Sequence, residues 1–295
     1  MKLLSLVLTL FATIRRTCCF SISTKSVSDL LNEHQTDVDR LKAQVPADAA
    51  QNFPYTEDAF YLRYCLAHGS PEEQDAAFGK SLDWRLNGAG HSICQAAAIA
   101  LAEATAAAGT WNNEPVLSKA PHSDKISRYI TPNNVITTSS SRDDLVYCIR
   151  AGFIDDQNLM KSVSVQEMTD FFLYAKEIHA LVTLQRSLQL DRLVSVWTAN
   201  DLTKVKLIGG SDDFRQALSQ SSKQAAELYP SMSGPTLLLN LPKLLNALVK
   251  LFTPLFPETV RARLAFVQAP GLAKLESLTD LGDLVATELE PIVYK

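Results

Sequence analysis

The chain has 295 residues, 46% of them hydrophobic and 20% charged, with a net charge of -4; this is the composition of an ordered globular protein large enough to bury a substantial core. The acidic balance gives no global basic field, and no zinc-finger spacing or aromatic-interleaved basic run occurs, so nucleic acid is not an expected partner. The five cysteines (Cys18, Cys19, Cys65, Cys94 and Cys148) are odd in number and form no C-x-x-C pair, which argues against a disulfide framework and for buried free thiols in a reducing compartment.

Met1-Lys2 and the apolar run that follows over 3–14 have the start and middle of a signal peptide, but Arg15 and Arg16 come next without a small-x-small cleavage site. The run is too short to span a bilayer as a helix. Residues 1–20 are read as either a targeting segment or a terminal membrane-associating helix, with Cys18-Cys19 open to acylation. A helix is predicted over 27–42, introduced by Ser26 or Ser28, and a second through His68 with Thr56 as its cap. Ser70-Pro71-Glu72-Glu73 supplies a cap, a first-turn proline and acidic residues for a third helix that carries Ala77, Phe78, Leu82 and Trp84 to Leu86. Residues 93–108 are alanine-rich and helical. Residues 111–122 read as a loop, and 125–131 as a first or edge strand.

From Leu145 the pattern alternates. A strand over 145–150 precedes a long helix capped by Ser164 or Ser162, with Glu167 near its start and Met168, Phe171, Phe172, Ala175, Ile178, Leu181 and Val182 along it. A strand over 193–199 follows, then a loop entered at Asn200-Asp201 and holding Gly209-Gly210. Asp212 begins a helix that buries Phe214, Leu218, Ala225 and Leu228 and ends at Tyr229-Pro230. Strands over 236–239 and 264–267 flank a further helical segment, and a helix is expected near 272–278. Short apolar strands separated by helices predict an α/β fold with a mostly parallel sheet and crossover helices.

The segment over 243–256 is the most informative. At 100° per residue, Leu248, Leu251 and Leu255 fall within about 40° of Leu244, and Leu245, Val249, Phe252 and Phe256 form a second stripe roughly 110° away. Together they span about 160°, against the roughly 100° that packing on one sheet requires. Either this is a well-buried crossover helix, or it has two apolar duties: one face lining a cavity, the other touching a partner or bilayer. Lys243, Lys250, Arg261 and Arg263 against Glu258 make the region locally basic, which favours an anionic membrane surface or is simply a solvated face.

The order over 229–263 is Tyr-Pro at a helix end, apolar strand, Asn-x-Pro, apolar helix, x-Pro-Leu-Phe, Thr and a basic residue before an apolar strand. It resembles the lipid-binding domain of the CRAL-TRIO family, which includes phosphatidylinositol-transfer, tocopherol-transfer and retinaldehyde-binding proteins. Arg63 in an apolar helix followed by Asp83-Trp84-Arg85 resembles the same family's small helical N-terminal module. The resemblance covers roughly 55–281 and implies a hydrophobic pocket over the sheet, with 243–256 as a movable gate. The expected division is a segment 1–20, a helical module 21–110 and a lipid-binding domain 111–295.

On that basis the expected function is binding and intermembrane transfer or presentation of a hydrophobic ligand, a phospholipid foremost, by a peripheral membrane protein of the cytoplasm. The alternative is a non-exchanging adaptor for membranes or proteins. Candidate ligand-lining residues are Leu244, Leu248, Leu251, Leu255, Phe171, Phe172 and Tyr174; Leu245, Phe252, Phe256 and Lys250 would meet the membrane. Arg263 matches the family's basic residue before the last strand and is suited to a phosphate. Two further family positions, a glutamate after Tyr-Pro and a lysine before the next proline, are Ser231 and Thr253 here, and the family's di-glycine element is missing. No G-x-G-x-x-G after a strand, Walker loop or G-x-S-x-G elbow occurs. The histidines are scattered, and Asp143-Asp144 and Asp155-Asp156 have diverging side chains. No enzyme, metal or cofactor is expected.

Overall fold

In the computed structural model, residues 25–47, 49, 53–107, 111–205, 210–241 and 263–294 are described. Helix α1 (Val27–Lys42) is capped by Ser26, whose side chain accepts from the Asp29 amide. In α2 (Asp58–Ala67) nearly every residue is buried, so it is an interior helix with no solvent stripe. Glu57, not Thr56, holds its cap position and makes no side-chain capping bond; burial on all sides does the work expected of the cap. Helix α3 (Pro71–Leu86) starts as predicted, with the Ser70 side chain accepting from Glu73 N.

Helix α4 (Gly88–Ala104) begins five residues earlier than predicted. The expected loop after it contains a short helix, α5 (Asn113–Ser118), because Asn112 caps it through the Glu114 amide and Pro115 falls in the first turn, where no amide is needed. The strand expected over 125–131 is instead a helical turn, α6 (Ser123–Ile126), and the turns that follow. Ile126 and Ile130 are four apart and both buried, a helical spacing.

The first strand is β1 (Val135–Ser139), which pairs antiparallel with β2 (Leu145–Arg150). Next come α7 (Asp156–Ser162) and α8 (Val165–Leu190), the latter opened by a reciprocal capping box between Ser164 and Glu167. Strand β3 (Val196–Asp201) starts and ends later than predicted: Asn200 and Asp201 belong to the strand. Helix α9 (Asp212–Leu228), β4 (Ser233–Leu239) and β5 (Leu264–Val267) follow. After α10 (Pro270–Lys274), helical turns at Leu278–Asp280, Gly282–Leu284, Val285–Leu289 and Glu290–Val293 close the chain.

The sheet order is β1-β2-β3-β4-β5, with β2 to β5 parallel. This is the expected α/β architecture with a helical module in front of it. The two faces of the sheet are treated differently. Val146, Cys148, Trp197, Ala199, Leu237 and Leu239 point to one face and are sealed by Leu272, Leu278, Leu281, Val285 and Leu289 of the C-terminal turns. On the other face, Leu145, Tyr147 and Val196 join a cluster that runs continuously into α1, α2 and α3 through Leu41, Leu62 and Phe78.

Candidate functional site

Register and alternation define what lies on that second face. Tyr147 pairs with Thr198, Thr198 with Thr236, and Thr236 with Leu264; one step along, Ile149, Asn200, Leu238 and Phe266 align. Because strand side chains alternate, these two rows share one face. Thr198, Asn200, Thr236 and Leu238 lie on the interior strands β3 and β4, yet each keeps accessible surface, as do Leu264 and Phe266 on β5. Leu238, Leu264 and Phe266 belong to none of the three apolar clusters among the described residues. This side of the sheet is a partly apolar floor beside α8 and α9. None of the site residues predicted from sequence belongs to it; the register across the strands is what places these side chains on one face.

Of the aromatic residues predicted to line a pocket, the fold brings Phe171 and Phe172 together, 6.1 Å between ring centroids, and Phe172 meets Phe214 edge-on at 5.9 Å. Tyr174 turns toward α5, donating to Val116 O at 2.9 Å. Arg263 directly precedes β5, and its carbonyl accepts from Thr236 N at 2.7 Å. The positions Leu244, Leu245, Leu248, Lys250, Leu251, Phe252, Leu255 and Phe256 lie outside the described residues.

The chain leaves β4 at a tightly held point. Asn240 has φ +54, a left-handed conformation that asparagine tolerates better than most residues. Its amide nitrogen donates to Asp201 Oδ1 at 2.9 Å and its Oδ1 accepts from Ala269 N at 2.9 Å. Asp201 also accepts from Thr203 N, Thr203 Oγ1 and Arg150 Nε. Arg150 and Asp201 have no exposed side-chain surface, and Arg150 donates further to Leu275 O at 2.8 Å. Three strand ends and the C-terminal turns therefore meet at one buried carboxylate. Gly152 lies against this corner: a Cβ there would come within 2.3 Å of Thr203 O.

A second buried network joins the helical module to the sheet domain. Arg63 donates to Ser231 O at 2.6 Å, Val194 O at 2.8 Å and Ser187 Oγ at 3.2 Å. Tyr55 donates to Glu177 Oε1 at 2.6 Å, and Tyr64 to Leu228 O at 2.9 Å. Burial pushes the Arg63 guanidinium down to about 10, and burial followed by the Glu177 charge raises the Tyr55 phenol well above its ordinary value. Arg85 donates to Glu177 Oε2 at 3.4 Å, so both arginines singled out in the sequence, Arg63 and Arg85, act across this junction.

Three of the four paired aspartates make structural hydrogen bonds. Asp155 caps α7 through Asn158 N, Asp156 accepts from Ser211 N at 2.8 Å, and Asp144 accepts from Ser195 N at 2.8 Å. Cys65, Cys94 and Cys148 are free and buried. Burial raises the Cys65 thiol to about 11, which keeps it protonated and unreactive. Although Cys65–His68 and His91–Cys94 have a three-residue spacing, no group of three His, Cys, Asp or Glu side chains among the described residues can hold a metal ion. No described helix is long and apolar enough to cross a membrane.

None of the curated proteins compared matches the chain. Among solved structures, one described as "Crystal structure of Sfh5" aligns over 84% of this chain and 82% of its own, at 12% identity and a TM-score of 0.43. The model of the CRAL/TRIO domain matches residues 134–287, more than half of the chain. That span begins one residue before β1 and takes in all five described strands and the sealing turns as far as residue 287. The chain therefore belongs to the CRAL/TRIO domain family, whose domains bind lipids and are not catalysts.

Proposed function

We propose that the protein carries a hydrophobic ligand, a phospholipid foremost, in a chamber over β3 to β5 and exchanges or presents it at a membrane surface. The observation that carries this is the floor described above. Side chains in the middle of a five-stranded sheet, on a face flanked by α8 and α9, are normally closed by packing; Thr198, Asn200, Thr236 and Leu238 are not. In this proposal residues 111–295 form the ligand-binding unit and 21–110 its supporting helices. Residues 243–256 are the movable wall, as the family resemblance implies and as their double apolar stripe allows. Leu244, Leu248, Leu251 and Leu255 face the ligand, while Leu245, Lys250, Phe252 and Phe256 meet the membrane. Arg263 is the candidate for a phosphate.

The energetics explain why such a wall is needed. Exposing about 30 methylenes of a two-chain lipid to water costs on the order of 25 kcal/mol at about 0.8 kcal/mol each. A carrier has to offer a dry chamber before the chains leave the bilayer. The test is native extraction with mass spectrometry of the bound lipid, followed by exchange against labelled vesicles. A co-purifying lipid that exchanges supports the carrier; a protein that retains no lipid and accepts none is an adaptor, and the proposal fails.

A further inference from the structure

Lys176 lies at the margin of the floor in an unusual electrostatic position. On α8 it sits about 60° around the helix from His179 at 100° per residue, turned toward the side on which Thr169 Oγ1 donates to Gln220 of α9. Its ammonium is 5.1 Å from the centre of the Tyr147 ring, and Tyr147 begins the row that continues through Thr198, Thr236 and Leu264. Lys176 thus faces the angle between α8, α9 and the floor. It is half-buried, and no carboxylate among the described residues pairs with it; burial alone holds its amine down to about 8.

His179 is the second observation. It is 3% exposed, its Nε2 is 2.8 Å from Thr137 Oγ1, and its ring meets Tyr147 edge-on at 4.9 Å. Its Nδ1 is buried with no hydrogen-bond partner. Burial, then the Lys176 charge, lowers its pKa well below the ordinary value, and burial raises the Tyr147 phenol. Both neighbours are therefore neutral near pH 7, leaving Lys176, among the described residues, as a cation without a carboxylate partner beside a buried nitrogen without a hydrogen-bond partner. A cation set in protein without a counter-ion is costly unless something binds it.

We propose that Lys176 is the counter-charge for a monoanionic oxygen head group of the bound lipid, a carboxylate or a phosphodiester, received over the Tyr147 end of the floor. This rests on the chamber reading above and names the ligand chemistry it would select. One charge-assisted hydrogen bond at such a site changes affinity about tenfold to a hundredfold.

The test uses the full chain, stripped of lipid, and two matched pairs: palmitate with palmityl alcohol, and phosphatidylglycerol with diacylglycerol, the last two presented in phosphatidylcholine vesicles. Lys176→Met should weaken palmitate or phosphatidylglycerol uptake at least tenfold and leave the neutral partner unchanged, with Lys176→Arg restoring most of the loss. Whichever acid responds identifies the head group. Inorganic phosphate as competitor against phosphatidylglycerol shows whether the phosphate is bound without its chains. Equal losses for acid and neutral lipid, or no loss for either acid, overturn the assignment of Lys176 and leave the chamber intact. Failure of the unmodified protein to take up any of the four overturns the chamber, and this proposal with it. Thermal melting checks the fold of each variant, and Lys176→Gln replaces Lys176→Met if the latter does not fold.

Discussion

Arg85 of α3 and Glu177 of α8 meet 3.4 Å apart with no exposed surface on either side chain. Arg85 is wrapped in aromatic rings, its guanidinium carbon 5.0 Å from the Tyr55 ring centre and 5.2 Å from that of Tyr229, and it donates to Leu228 O at 3.2 Å. The pair links the helical module, the long crossover helix and the end of α9. Because both charges are out of water, the attraction roughly offsets desolvation while the pair is whole, and removing one partner strands the other.

Glu177→Ala is therefore expected to destabilise the protein by about 3–5 kcal/mol, whereas Glu177→Gln, which can still accept from Tyr55, should lose less. Urea unfolding followed by fluorescence measures both; equal, small losses would show that the junction does not depend on the pair.

Asp201→Ala should cost a similar amount, about 3–5 kcal/mol, because it leaves Arg150 buried and frees the Asn240 side chain. Asn240→Ala removes two hydrogen bonds and places a Cβ residue without local stabilisation at positive φ, for an expected loss of about 2 kcal/mol. Hydrogen exchange should rise at the ends of β3 and β4 in both variants, and unchanged protection there would show that this corner is held by other contacts.

Lys176→Met should raise the stability of the lipid-free protein at pH 7 by about 1 kcal/mol, after allowance for screening at a partly buried amine, which is a few degrees in Tm. The pH dependence has a definite sign. The unfolded amine keeps its proton to about 10.5 and the folded one releases it at about 8, so between those values unfolding takes up a proton and rising pH favours the folded state. Thermal melts across that window should show the wild-type protein closing the gap to the variant as pH rises; a constant gap would mean that the amine titrates normally.

Charge on the proposed outer stripe should interfere with membrane contact: Phe252→Asp is expected to reduce vesicle-to-vesicle transfer at least tenfold while leaving fold stability within about 1 kcal/mol. Leu238→Trp, which adds bulk to the floor, should instead reduce the amount of lipid bound. Unaltered transfer by the first variant would remove 243–256 from the gating role, and unaltered loading of the second would remove Leu238 from the chamber.

Much of the fold was legible because its boundary signals are local. The strand Leu145–Arg150, the long helix opened at Ser164, one of its two candidate caps, the helix from Asp212 and the strand Leu264–Val267 all appear where caps and periodicity placed them. The first strand was missed because Thr137 and Thr138 give no inward-outward alternation, and its half-buried pattern reflects an edge position. Asp201 read as a loop residue because a carboxylate at a strand end normally seeks water; here Arg150, 51 positions away in sequence, takes the place of water. The floor was overlooked for a related reason. Its mix of threonine, asparagine and leucine looks like an ordinary strand face, and only the register across four strands shows that these side chains share one surface.

The alternation along β3 and β4 has an evolutionary consequence. Ala199, Leu237 and Leu239 point into the solid layer, while Thr198, Asn200, Thr236 and Leu238 point the other way, one residue out of step. In the proposed carrier, foldability and cargo choice are thus written on interleaved letters of the same two segments. A lineage can redraw one set while keeping the other, trading one passenger for another without rebuilding the vehicle.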